Sequence, residues 1–215
     1  MAITVGTVTT GIADASYGSG VYGLTTHTTA SDTTLLILVM AHIKSGTQAV
    51  TASWNDVTMT PFVIDRNNEE ITTGIYALKN PAIGNYVGKI HGTSAAGANS
   101  PWIGLINLKG ARSTVGGTLN HETGYTLTVQ GNGGLIIDVA YGDTEATPNQ
   151  PTGTGVGTKV DLWNNQTISV ADKTGSMYVT CGSSDITTSY TGDIISYAAA
   201  QVVEGSDSIP QAIFM

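Results

Sequence analysis

One cysteine, Cys181, is present in the chain. A lone thiol excludes an internal disulfide framework and any cysteine-rich metal site. Flanked by "MYVT" and "GSS", it reads as a small apolar strand residue. Charge is scarce as well, at 11% of residues, and its balance is acidic, with a formal net charge of −8. A nucleic-acid binder needs a basic patch to displace counterions from phosphates. Eight scattered Lys and Arg do not form one, so neither nucleic acid nor an anionic membrane is an expected partner. The longest apolar run, "LLILVMA" at 35–41, falls far short of the roughly 20 residues that span a bilayer. The opening "MAITVGTVTTG" has no basic start followed by an apolar stretch, so no secretory signal is expected. Motifs of chemistry are missing too. There is no Gly-x-Ser-x-Gly elbow, and the glycines form neither a P-loop nor a dinucleotide fingerprint. His27, His42, His91 and His121 show no ligand spacing, so zinc is not expected. His121-Glu122 ahead of Tyr125 offers an acid–base pair only on paper; polar residues leading into a strand account for it. Glycoside hydrolysis needs two carboxylates that meet in space, and nothing nominates a pair.

What is present is Thr, Gly, Ser, Val and Ile, without long runs of Ala, Leu, Glu and Lys. β-branched residues broken by Gly, Asn and Asp clusters predict many short strands. The stretch "TASWNDVTMTPF" (51–62) poses a choice between a sugar-binding platform and a tight turn. With a two-residue turn at Asn55-Asp56, Trp54 faces Val57, Ser53 faces Thr58, Ala52 faces Met59 and Thr51 faces Thr60. Apolar meets apolar and polar meets polar, a pattern that fixes register. Asn and Asp tolerate the positive φ of such turns. The hairpin is therefore preferred, with Trp54 in the core or at its rim.

A second hairpin is predicted in "YTLTVQGNGGLIIDVAY" (125–141). A loop at Gly131-Asn132-Gly133 pairs Val129 with Leu135, Leu127 with Ile137 and Tyr125 with Val139, and sets Thr126 opposite Asp138 on the outer side. "TLLILVMA" (34–41) is apolar enough to be a central strand covered on both faces. "ITTGIYAL" (71–78), "YVGKIHG" (86–92), "WIGLINL" (102–108) and "SMYVTC" (176–181) are further strands. "DIISYAAAQVV" (193–203) suits a helix or a strand. The alternation of Ile195, Tyr197 and Ala199 favours a closing strand. The fold expected is all-β, an antiparallel β-sandwich of two facing sheets, with a jelly roll favoured and an immunoglobulin-like sandwich second. One sandwich domain is read over 1–203. Residues 204–215 are read as a C-terminal extended arm ending in the apolar "AIFM".

The order "TTLLILVMAH", "VTASWNDVTMT", "TGIYALKNPAIGNYVGKIHG", "PWIGLINLKGARS" resembles a β-sandwich module recurrent in bacteriophage virion proteins and in some secreted bacterial proteins. In "YALKNPAIGNY", Tyr76, Leu78, Asn80, Pro81, Gly84 and Tyr86 fall in the module's order. Asp56 stands where the module usually has Gly, and Ile83 stands where a small residue is usual. The resemblance covers about residues 31–113. Its shared residues are turn formers and core aromatics, so it implies fold and setting and carries no catalytic residue.

Remaining candidates are loops. "DLWNNQ" (161–166) sets Trp163 beside Asn164 and Asn165 on a predicted loop, a sugar-stacking arrangement. "DVAYGDTE" (138–145) gathers oxygens that suit a structural calcium, with Asp143 and Glu145 as ligands; the alternative is a solvated turn, and no other cofactor is expected. Ile3 and Val5 near one end, and Ile213 and Phe214 near the other, are the expected assembly contacts, made by strand addition. The functional expectation is a non-enzymatic structural virion protein of a tailed phage. Specifically, it is a capsid decoration or cement protein, homo-oligomeric and bound to the major capsid protein or other virion proteins. It would be made in the host cytoplasm and located in the virion. The alternative is a carbohydrate-binding module or a receptor-binding tail component. A hydrolase on the same scaffold rests on fold analogy alone.

Overall fold

The apolar run at 35–41 forms the middle of the molecule in the computed structural model. The structure describes residues 3–12, 14–15, 20–23, 26–43, 50–65, 71–92, 102–120, 126–129, 135–143, 156–168, 173–182, 186–189 and 194–205. No helix occurs among them.

A central five-stranded sheet holds β1 (Thr4–Ile12), β12 (Trp102–Lys109), β5 (Leu35–Ile43), β9 (Ile71–Lys79) and β8 (Thr60–Asp65), in that spatial order. Every pairing is antiparallel. Side chains of a strand point alternately to opposite faces. In β5 Leu35, Ile37, Val39 and Ala41 enter one hydrophobic core, and Leu36, Leu38 and Met40 enter a second. The register agrees across the sheet. Ile106 pairs with Ile37 and Ala77 pairs with Ile37 on the first face. Leu105 and Tyr76 pair with Leu38 on the second. All of Leu35 to Met40 are fully buried, each such side chain stabilising by roughly 1.5–3 kcal/mol.

Each face is covered by another five-stranded sheet. The first outer sheet runs β2 (Asp14–Ala15), β3 (Val21–Gly23), β11 (Gly88–His91), β6 (Thr51–Trp54), β7 (Val57–Thr58). It supplies Tyr22, Ala52, Trp54 and Ile90 to the second core. The second outer sheet runs β13 (Ala111–Asn120), β19 (Ile194–Glu204), β15 (Leu135–Asp143), β17 (Lys173–Gly182), β16 (Val156–Ile168). Its Leu135, Ile137, Val139, Ala198, Ala200 and Val202 complete the first core. Two ribbons add β4 (His27–Thr29) with β10 (Gly84–Tyr86), and β14 (Thr126–Val129) with β18 (Ile186–Ser189). The antiparallel all-β sandwich expected from the sequence is present, with three layers where two were expected.

The hairpin at 51–60 forms as read at its tip. Asn55 and Asp56 adopt φ of 46° and 61°, Ser53 pairs with Thr58, and Trp54 pairs with Val57. The Met59 N–H donates to the Ala52 carbonyl at 2.9 Å. The fourth expected rung is absent. Thr60 pairs with Ala77 in the central sheet, and Thr51 pairs with His91. Trp54 is fully buried and Val57 half exposed, because β7 is a two-residue edge.

The hairpin at 125–141 does not form. β14 pairs with β18, so Leu127 meets Thr188 and Val129 meets Ile186. β15 has no vacant side for β14, since β17 and β19 flank it over its length. Asp138, expected on an outer surface, is fully buried. The stretch 86–92 is also divided: Tyr86 pairs with His27, and Gly88 pairs with Trp54 in another sheet. The ambiguous 193–203 segment is strand β19. It continues to Glu204, and the Gly205 N–H donates to the Gly110 carbonyl at 2.7 Å.

Gly88 shows how closely two layers approach. A Cβ there would lie 2.7 Å from Leu105 Cδ1. Any side chain at 88 would have to push the buried Leu105 side chain aside for β11 to settle on β12 as closely.

Candidate functional site

Three polar groupings interrupt the apolar interior and surface. The first is on the outer face of β6 and β11. Ser53 is opposite Lys89 and two pairs along the ladder from His91. Ser53 Oγ and His91 Nε2 are 2.8 Å apart. Lys89 Nζ reaches Asp56 Oδ1 at 2.7 Å and, by hydrogen bond first and charge second, holds that carboxyl below its usual range. A hydroxyl next to an imidazole is the beginning of an activated nucleophile. Ser53 is only 5% exposed, however, and among the described residues no third side chain is seen orienting the ring. The pair serves as a hydrogen bond of the sheet.

The second grouping centres on His27, which is buried between β1, β12 and β6. Asn107 Nδ2 donates to the Thr28 carbonyl at 2.8 Å, which leaves Asn107 Oδ1 as an acceptor. His27 Nε2 lies 3.0 Å from that oxygen, so Nε2 carries the hydrogen. His27 Nδ1, 2.8 Å from Thr9 Oγ1, then accepts from the hydroxyl. The ring meets Trp54 edge-on at 5.7 Å, and Trp54 meets Tyr86 edge-on at 5.8 Å. Desolvation pulls the imidazole below its ordinary 6.5, and the Asn107 hydrogen bond opposes this only in part. The site holds a neutral histidine that fastens edge strand β1 to the interior.

The third grouping crosses the first core's rim. Asp65 Oδ2 accepts from Ser196 Oγ and from the Tyr197 N–H, both at 2.8 Å. Ser196 Oγ is 2.9 Å from Thr73 Oγ1. All of Asp65, Ser196 and Thr73 are fully buried. This seam joins the central sheet to the second outer sheet through buried hydrogen bonds.

The residues nominated from the sequence are dispersed. Trp163, Asn164 and Asn165 lie in strand β16, not in a loop. β16 ends the strand order of its sheet, and its register shifts on both sides of Trp163. Asp143 closes β15 opposite Lys173; Glu145 lies outside the described residues. Among the described residues, no three His, Cys, Asp or Glu converge to hold a metal ion. Ile3 and Val5 pack, half-buried, against the first core. Val5 pairs with Leu108 of the same chain, so this segment is an edge strand of its own sheet. Ile213 and Phe214 lie outside the described residues. The sequence reading missed His27–Asn107 and Asp65–Ser196. One signal was available: Asn107 interrupts "WIGLINL" at a position whose alternation sends it inward with Ile103 and Leu105.

Compared with family models, with curated proteins and with solved structures, the chain matches none of them.

Proposed function

We propose that the chain is a structural virion protein of a tailed phage, a capsid decoration protein that stabilises the shell by protein–protein contacts and performs no catalysis. One observation carries the reading: the resemblance in "YALKNPAIGNY", four of whose six matched residues hold structural posts. Tyr76 is buried and its hydroxyl donates to the Val50 carbonyl at 2.8 Å. Asn80 takes a left-handed φ of 48°, and its N–H donates to the Thr34 carbonyl at 3.0 Å. Pro81 is buried, and Tyr86 packs on Trp54. These residues build a scaffold whose outer surface is left for adhesion. Partners under this reading are the major capsid protein or other virion proteins, and copies of the chain itself. Labelling the protein in micrographs of particles tests it. A regular array on the shell is expected. Particles that carry none of the chain would end the reading.

A second reading, a carbohydrate-binding or receptor-binding tail component, is favoured by β16. Bulges at sheet edges re-aim side chains and concentrate beside sites, and Trp163 sits between two register breaks on an edge strand. Glycan-array binding that disappears in Trp163→Ala supports it; unchanged binding by that variant removes it.

A further inference from the structure

We propose that β1 is a strand-addition edge on which a second copy of this chain docks its own β1, antiparallel, about a two-fold axis. The inference rests on the reading of the chain as an assembling structural protein and names the partner of that edge.

Open sheet edges invite pairing, and folds blunt them with proline, charge, bulges or brevity. The other edges of the three five-stranded sheets are blunted, and the strands of the two ribbons run only three or four residues. β8 carries Pro61 beside a register shift. β2 and β7 are two residues long. β13 carries Arg112 and two register shifts, and β16 carries three shifts with Lys159 and Asp161. β1 is different. Its nine residues, "TVGTVTTGI", include neither a charge nor a proline. One register break falls between Val5 and Val8, after which Val8 to Ile12 run unbroken along Ile106 to Trp102. Its neighbour β12 is buried from Trp102 to Leu108, whereas Thr4 and Thr7 of β1 are exposed and the residues around them only half-buried.

The strand also suits itself. Antiparallel pairing about a two-fold sets residue i against j and j against i. A Thr- and Val-rich strand then forms Thr–Thr and β-branched pairs, which are favourable cross-strand pairs. Each copy carries −8, so two copies repel at a distance. A charge-free strand lets them meet with no like charges opposed. Salt screens the remainder beyond about 8 Å at physiological strength, so self-association tightens as salt is raised.

Sedimentation velocity on the full chain, over a concentration series and at two salt levels, tests this. The expected result is a reversible dimer strengthened by salt. Thr4→Lys and Thr7→Lys put charge on the pairing strand, one of the devices that blunt an open edge, and are expected to weaken association by about tenfold or more, an effect of roughly 1.4 kcal/mol. Hydrogen exchange on the unmodified protein is the companion measurement, expected to show β1 amides gaining protection as concentration rises. A wild-type chain that stays monomeric overturns the proposal. So does a dimer indifferent to both lysines, or one whose β1 amides exchange equally fast at all concentrations. A monomer that still decorates particles would leave the virion reading standing alone. A lysine-sensitive dimer absent from particles would do the reverse.

Discussion

Two hairpins were written into the sequence by the same rule, and only one of them folds. At 51–60 the turn residues Asn55 and Asp56 both take positive φ, and the adjoining rungs match the expected register. At 125–141 the strand before the glycine-rich stretch pairs with residues 186–189, far along the chain. A two-residue turn in left-handed conformations gives its flanks one way to meet. A glycine-rich loop imposes no such geometry, and the strand behind it goes where burial is greatest. Leu135 to Val139 are buried between two other strands, a position that a short hairpin partner cannot supply. Even the successful hairpin holds only near its tip, since Thr60 crosses to the central sheet.

The largest test of this contrast is Trp54→Ala. If the first hairpin depends on its anchor in the core as well as on its turn, removing a fully buried indole costs about 3–5 kcal/mol, read from urea denaturation. A loss under about 1 kcal/mol would assign the hairpin to its turn alone. Gly88→Ala comes next. Gly88 pairs with Trp54, and a methyl group there meets Leu105, so overpacking is expected to cost about 1–3 kcal/mol. An unchanged midpoint would mean that the two sheets can separate slightly without loss.

A smaller effect concerns His27, which touches Trp54 from behind. Its folded pKa is depressed, so the folded state resists a proton that the unfolded chain accepts. Its contribution is therefore complete above the unfolded value of 6.5 and declines as pH falls through that value towards the folded one. Denaturation midpoints measured between about pH 7.5 and 5 should fall more steeply for the natural protein than for His27→Gln. Parallel slopes would show that the ring does not sense acid. Smallest is Asp56→Gly. It relieves a positive φ but gives up the exposed Lys89 contact, and a slight rise in melting temperature is expected. A clear fall would show that the ion pair outweighs the backbone.

Much of the architecture was legible because β-structure writes its faces by alternation. The unbroken run 35–41 predicted a strand covered on both sides, and Leu36 and Ile37 do enter different cores. What alternation does not encode is which strands become neighbours. Tyr86 and Gly88 are two residues apart in one apolar stretch, yet they pair in different sheets. The polar groupings were hidden for a related reason. Asp65 and Ser196 are 131 positions apart, and no local pattern marks either one. Trp163 looked like a loop residue because Asn and Gln surround it, although an edge strand accepts such neighbours equally well.

The pairing of Thr4 with Lys109 has a consequence for biosynthesis. A ribosome adding about 5–20 residues per second needs on the order of ten seconds to make the chain between them. Until β12 has emerged, β1 has no partner in its sheet, and on a crowded polysome its nearest companion is the same segment of the next nascent chain. Whatever guards the newborn polypeptide must cover that interval.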